Sequence, residues 1–240
     1  MSATHEHEIE TTVQRPGEPG CVAIRCLALL HGAACIGRFD VVATLATLAR
    51  RLGIPAPRVH EAALQVAAYG GYPRAIEALA ALAAPGEAAE AADTESTGDE
   101  PPQDPALRAE AAAAADGEAR AIRGRLAFEA VYGEQAAPVR AALERLSPGL
   151  ARQVVEDAYG RVLARPGLAM QERELLAVAA LALMALPSPL DSHVRGALRN
   201  GSTPPAVIDI LDSCRILASE EALSVIARVR ARLHRTQPEP

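Results

Sequence analysis

The 240-residue sequence has no tryptophan, and only 2% of its residues are aromatic. Because 50% of the residues are nevertheless hydrophobic, the core must be built from Ala, Leu and Val. Side chains of this kind favour helices and close packing between helices. Val, Ile, Thr and aromatic residues nowhere form the alternating runs that are typical of strands. The composition therefore predicts an all-α protein.

Lysine is also absent, so the 24 basic residues other than histidine are all arginines. This absence excludes a lysine Schiff base and a lysine general base. The net charge is −6 and the acidic residues are spread along the chain. A nucleic-acid-binding protein would instead show a clustered basic face. We therefore expect no nucleic-acid partner.

Long apolar runs are missing as well. The longest one covers residues 175–186, which is too short to cross a bilayer. The first 20 residues are acidic and polar, unlike a secretory signal. Four cysteines in a chain of this length do not make a disulfide framework. These features predict a cytoplasmic protein that does not associate with membranes.

Composition divides the chain into four segments. Residues 1–20 have the composition of a flexible tail, and residues 85–117 that of an acidic, Ala-rich linker. Helical patterns separated by Pro and Gly fill residues 21–84 and 118–235. The sequence thus predicts two helical blocks joined by a linker.

An internal repeat relates these two blocks. An offset of 148 residues aligns Arg25 with Arg173 and Gly53 with Gly201 without a gap. The same offset pairs further residues of like type: Leu27 with Leu175, Pro57 with Pro205, Val59 with Val207 and Glu61 with Asp209. We therefore predict two divergent tandem repeats.

Glu174 and His193 are the best candidates for chemistry. Glu174 lies at the start of one predicted helix and His193 within the next, so packing of the two helices could bring them together. A carboxyl group beside an imidazole can act as an acid–base pair, because burial raises the carboxyl pKa and the pairing holds the imidazole. The alternative is a helical histidine without a catalytic role.

A second candidate group lies in the first block. Glu61, Gln65 and Tyr69 recur every fourth residue on a helix otherwise rich in Ala, Leu and Val, so they share one face. This stripe is either a solvated face or the polar wall of a pocket. The tight Gly-Gly-Tyr-Pro turn beside it favours a pocket, and we predict that these residues bind substrate.

Both groups lie in segments that resemble the carboxymuconolactone decarboxylase family. Residues 173–201 begin Arg-Glu-Leu-Leu and contain His-Val-Arg-Gly-Ala-Leu-Arg-Asn-Gly, and residues 61–75 are similar to the segment that follows this core. The resemblance covers most of residues 22–83 and 118–212. It implies the all-helical fold shared with alkyl hydroperoxidase D. Because Ala- and Leu-rich helices leave apolar faces to cover, we expect a homo-oligomer, a trimer of tandem chains.

The peroxidase branch of this family carries a Cys-x-x-Cys pair, with a histidine four residues later and a glutamate nineteen residues before that histidine. Glu174 and His193 match the spacing of nineteen, but Leu186 and Pro189 occupy the cysteine positions. Dithiol peroxidase chemistry needs those thiols. An alkylhydroperoxidase or peroxiredoxin-type activity is therefore the less favoured alternative.

The decarboxylase branch, as the resemblance implies, needs neither cysteine nor cofactor. Its histidine protonates a carbon of a small unsaturated lactone while carbon dioxide leaves. The resemblance thus implies that His193 is the general acid, that Glu174 orients it, and that Arg195 either binds a substrate carboxylate or lies on the surface. We expect a lyase or isomerase acting on a small lactone or carboxylic acid, with no metal. A non-catalytic assembly protein is the third interpretation.

The two repeats have lost complementary residues. The second keeps Glu174 and His193, whereas the first keeps Tyr69 but has Leu45 in place of the histidine. One pocket assembled from both repeats would explain this pattern, and ligand sites are common at such interfaces. We therefore predict that His193 lies within roughly 10 Å of Tyr69, and that Leu45 and Leu217 fill the second potential site.

Overall fold

The structure, a computed structural model, describes residues 2–17, 20–82 and 117–235. These residues form helices and contain no strand, so the all-α prediction is confirmed. Within them, no helix is both long and apolar enough to cross a membrane. The predicted linker, residues 85–117, falls outside the described residues except for its last position.

The first half contains α1 (Ala3–Gln14), α2 (Cys21–Cys35), α3 (Phe39–Arg51), α4 (Ala56–Leu64), α5 (Val66–Tyr69) and α6 (Tyr72–Ala80). The second half contains α7 (Gly117–Tyr132), a 3₁₀ turn (Gly133–Gln135), α8 (Ala136–Leu146), α9 (Pro148–Gln153) and a π-helical segment (Val154–Leu163). It continues with α10 (Met170–Leu183), α11 (Pro187–Arg199), α12 (Pro204–Cys214), a second 3₁₀ turn (Arg215–Leu217) and α13 (Glu220–Arg235).

Helices α2 and α10 pack against each other at the centre of the fold. Both are apolar on nearly every side and are buried along most of their length, as expected for core helices. Gly32 permits the close approach, because a Cβ atom there would lie 2.7 Å from Cδ1 of Leu183 and 3.5 Å from the backbone of Ala179. Small residues thus set the spacing of the two central helices.

Helix boundaries in the two halves match at the predicted offset. Helices α3, α4 and α6 begin at residues 39, 56 and 72, and α11, α12 and α13 begin at residues 187, 204 and 220, each 148 residues later. Gly53 and Gly201 end α3 and α11 with φ angles of 68° and 101°, a conformation that glycine adopts at little cost. These matches support our proposal that the halves are divergent copies.

The expectation of a flexible tail at residues 1–20 is corrected by helix α1. Ile9 and Val13 on this helix are 1% and 0% exposed, and burial of such side chains holds the helix on the core. Arg15-Pro16-Gly17 then repeats the tripeptide at residues 165–167. Two additional residues separate this tripeptide from Arg25, compared with the spacing between residues 165–167 and Arg173, so the offset of 148 no longer aligns it and the relation was missed.

A buried ion-pair cluster connects the start of α10 to the first half. Arg173 is 1% exposed, and its Nη2 lies 2.8 Å from Oε2 of Glu61 on α4. Glu61 also binds Arg165, with 2.7 Å between Nη2 and Oε1. Two arginines of the second half therefore share one carboxylate of the first.

A second ion-pair cluster has the same arrangement, with the roles of the two halves exchanged. Arg25 on α2 is 1% exposed, and its Nε lies 2.6 Å from Oδ2 of Asp209 on α12. Asp209 also binds Arg15, from the repeated tripeptide. Each half thus supplies two arginines to an acidic residue of the other, so the halves are interlocked rather than separate.

Replacing Arg173 by Met should lower the free energy of unfolding by about 3–5 kcal/mol, because the buried Glu61 carboxylate loses a partner. Urea unfolding followed by circular dichroism measures the change. The control is Arg51→Met, since the exposed Arg51–Glu10 pair is screened by solvent and should contribute little. Equal losses in the two variants would contradict the importance assigned to the Arg173 cluster.

Candidate functional site

Helices α10 and α11 bring the predicted acid–base pair together. Glu174 is 0% exposed and His193 is 5% exposed, and 3.0 Å separates Oε2 of Glu174 from Nδ1 of His193. An ionised carboxylate only accepts hydrogen bonds. Nδ1 of His193 is therefore the protonated ring nitrogen, and it donates the hydrogen bond to Glu174. In the neutral imidazole, Nε2 then keeps its lone pair and can accept a proton.

A glycine makes room for this pair. Gly196 lies on α11 directly over the carboxylate, and a Cβ atom there would overlap Oε2 of Glu174 and lie 3.0 Å from Cγ1 of Val131 on α7. The absence of a side chain therefore lets α11 approach both neighbouring helices. This approach is what brings the His193 imidazole within hydrogen-bond distance of Glu174.

Four of the six aromatic residues of the chain form a cluster beside His193. The sequence has four Tyr and two Phe, and the rings of Tyr69 and Tyr132 lie 5.6 Å and 6.3 Å from the imidazole. Phe128 contacts Tyr132 at 4.4 Å and Tyr159 at 5.0 Å between ring centroids. An aromatic wall therefore surrounds the one imidazole that is paired with a buried carboxylate.

The expected closeness of Tyr69 and His193 is confirmed, since 5.6 Å separates their rings. The site thus combines residues of both halves. At the position related by the repeat, Leu45 is 0% exposed and Leu217 packs half-buried against the core. The Cys26 thiol there donates a weak hydrogen bond to the carbonyl oxygen of Leu45 at 3.6 Å, so a buried cysteine and a buried leucine replace the acid–base pair.

Glu61 and Gln65 do not face His193, which corrects their predicted substrate-binding role. Gln65 Nε2 donates to the carbonyl oxygen of Arg173 at 2.9 Å, and its Oε1 accepts from Arg173 Nη1 at 3.1 Å. The Glu61 carboxylate is bound to Arg165 and Arg173. Helix α4 ends at Leu64 and α5 begins at Val66, so the polar stripe does not continue to Tyr69. Glu61 and Gln65 position α10 instead.

Arg195 is not brought to the site either. It is exposed on α11, and its Nη2 donates to Oγ of Ser192 at 3.4 Å. A residue two positions from His193 points away from it because successive helical residues turn by about 100°. The structure therefore supports the surface interpretation of Arg195.

Burial and the charge of Glu174 act together on the neighbouring tyrosines. Burial is the main cause that raises the pKa of the Tyr69 and Tyr159 phenols well above the ordinary value and also raises the pKa of Tyr132. The negative charge of Glu174 contributes to all three upward shifts. These phenols stay protonated at neutral pH and can donate hydrogen bonds.

His31, which sequence reasoning missed, lies behind Tyr69. It is 0% exposed, and burial lowers its pKa to about 4. Its Nδ1 lies 3.0 Å from the carbonyl oxygen of Ala62, which fixes the Nδ1–H form of the neutral ring. The rings of His31 and Tyr69 are 5.5 Å apart, so the Tyr69 ring contacts His31 as well as His193.

Residues 148–230 match the model of the carboxymuconolactone decarboxylase family. This range contains both Glu174 and His193. The second half is therefore similar to this family, and the predicted family resemblance is confirmed. The all-α structure is consistent with the alkyl hydroperoxidase D-like fold that the resemblance implies. Over the described residues, no group of three or more His, Cys, Asp and Glu side chains is arranged to hold a metal ion.

A relative of the chain is Peroxisomal protein 2 of Schizosaccharomyces pombe, which is 30% identical over 154 residues. The aligned region covers 63% of this chain and 64% of that protein, so the chain spans less than two thirds of the length of its relative. The name places that protein in the peroxisome and states no reaction. The relationship is consistent with the family match.

Exchanging Gly196 for Ala should separate the acid–base pair and lower the free energy of unfolding by about 1–3 kcal/mol, because the added methyl group overlaps Glu174. Chemical denaturation measures the loss. Gly117→Ala is the control, since no atom lies within 4 Å of a Cβ placed there. If Gly196→Ala is as stable as this control, the close approach of α11 to Glu174 is wrong.

Three cysteines should not react with an aromatic disulfide reagent at pH 8 while the protein is folded. Burial raises the pKa of Cys26, Cys35 and Cys214 to about 12, and only the thiolate reacts readily. Cys21 is half-buried and should react first. Rapid labelling of all four thiols in the folded protein would contradict this assignment, with denatured protein as the control.

Proposed function

We propose that the protein is a cofactor-free lyase or isomerase that transfers a proton to or from carbon in a small lactone or carboxylic acid. The observation that carries the proposal is the buried Glu174–His193 pair. Its geometry leaves Nε2 of His193 without a hydrogen-bond partner among the described residues. Buried acid–base pairs of this kind are suited to general acid–base catalysis.

In a decarboxylation, the bond between the carboxylate and the ring carbon breaks and carbon dioxide leaves. The electron pair of that bond stays on the substrate as an enolate. His193, protonated at Nε2, then gives its proton to the carbon, and the neutral imidazole regains a proton from solvent. Glu174 accepts the Nδ1 hydrogen bond throughout and stabilises the imidazolium. In an isomerisation, His193 would remove a proton from one carbon and return it to another.

The aromatic wall supports this chemistry. Tyr69 and Tyr132 shield His193 from bulk water, and interactions between charges are stronger where water is excluded. A flat, partly unsaturated substrate would also contact these rings favourably. The peroxidase alternative finds no matching support, because Leu186 and Pro189 occupy the cysteine positions and three of the thiols are buried.

We also propose that the chain forms a homo-oligomer, a trimer of tandem chains. Leu126 and Leu146, on α7 and α8, are 61% and 78% exposed. Exposed apolar side chains on neighbouring helices are typical of surfaces that pair with another subunit. Light scattering at micromolar concentration should give three times the mass of one chain, whereas a monomer would contradict the proposal.

The catalytic proposal is tested with a panel of small unsaturated lactones and carboxylic acids in deuterated water. The wild type should introduce deuterium at carbon or release carbon dioxide. His193→Gln should lower the rate by about 10²–10⁴-fold, whereas His60→Gln, at an exposed position on α4, should leave it unchanged. Retained turnover in His193→Gln would contradict the proposed role of His193.

A further inference from the structure

Two polar atoms beside His193 are sealed from solvent without a hydrogen-bond partner among the described residues. They are the hydroxyl oxygen of Tyr69 and Oε1 of Glu174. Both side chains contact the same imidazole, Tyr69 through its ring and Glu174 through Oε2. Buried polar atoms are normally hydrogen-bonded, so two such atoms on side chains that contact one imidazole indicate a group that is supplied from outside the chain.

The chemistry of the two atoms restricts that group. The Tyr69 phenol stays protonated and has a hydrogen to donate, whereas the Glu174 carboxylate can only accept. A hydroxyl or enol group satisfies both, because it accepts one hydrogen bond and donates another. A carboxylate satisfies only the phenol, since it has no hydrogen to give to Glu174.

Charge restricts the group further. Glu174 is 0% exposed and its polar contact is with His193. The terminal guanidinium nitrogens of Arg173 bind Glu61, Gln65 and backbone carbonyl oxygens. Arg195 is exposed and binds Ser192. While His193 is neutral, an anionic group beside Glu174 would therefore face a buried like charge, and this repulsion is large where water is excluded.

We propose that this site takes an uncharged substrate that presents a hydroxyl or enol group, carried on a flat apolar body that contacts Tyr69 and Tyr132. This inference rests on the proposed function. The proposal selects neutral, enolisable lactones from the proposed class of small lactones and carboxylic acids, and it therefore favours the isomerisation over the decarboxylation. It also assigns Tyr69 as the hydrogen-bond donor to the substrate oxygen.

Three small probes of similar size separate the possibilities. Phenol is uncharged and carries a hydroxyl group, benzoate is an anion, and toluene has neither feature. Binding is followed through the ring carbon–proton signal of His193, assigned by its loss in His193→Gln. In the wild type, phenol should bind about tenfold more tightly than toluene or benzoate, as expected for hydrogen bonds to buried groups.

Two variants test the assigned contacts. Tyr69→Phe should bind phenol about tenfold more weakly and leave toluene binding unchanged. It should fold at least as stably as the wild type, because it removes an unsatisfied hydroxyl group. The control Tyr72→Phe, at a position that is 68% exposed, should change neither phenol binding nor toluene binding. Glu174→Gln should bind benzoate more tightly than the wild type does, whereas Glu77→Gln, on an exposed position of α6, should not.

Each other outcome overturns the proposal. If the wild type prefers benzoate, the site accepts anions. If phenol binds no better than toluene, a water molecule rather than a substrate hydroxyl group satisfies Tyr69 and Glu174. If no probe shifts the His193 signal, the site does not accept ligands of this class. Loss of turnover in His193→Gln can still be observed in each case, so failure here is distinguishable from failure of the proposed proton transfer.

Discussion

The site depends on one buried ion pair, between Arg173 at the start of α10 and Glu61 on α4. A buried arginine is costly unless its charge is paired, and both terminal nitrogens of Arg173 are hydrogen-bonded, so this contact fixes where α10 begins. Gln65 adds a hydrogen bond to the carbonyl oxygen of Arg173. Glu174 is the next residue, so its carboxylate takes its position from a contact with the other half of the chain.

The reciprocal pair of Arg25 and Asp209 gives the first half the same framework without the same chemistry. Cys26 follows Arg25 where Glu174 follows Arg173, and Leu45 stands where the second half has His193. The first framework therefore packs apolar side chains, and the second holds an acid–base pair. We infer that each half lost a part of the site that the other half retains.

The sequence predicted the all-α class and the pairing of Glu174 with His193, because helical periodicity and a spacing of nineteen residues can be read from the sequence alone. It could not show that Glu61 turns toward Arg173, since the break between α4 and α5 depends on tertiary packing. The α1 helix was missed because two additional residues hide the repeated Arg-Pro-Gly. The aromatic wall was missed because Phe128 and Tyr159 lie far apart in sequence and meet only where α7 packs against the π-helical segment.

The proposed chemistry requires that Glu174 accepts a hydrogen bond from Nδ1 of His193 and that Nε2 is free for proton transfer. Nitrogen-15 NMR of the histidine side chains tests it most directly, because the two ring nitrogens give different signals when protonated and unprotonated. With the imidazole neutral, His193 should be protonated at Nδ1 and unprotonated at Nε2. A neutral His193 protonated at Nε2, with Nδ1 bare, would contradict it.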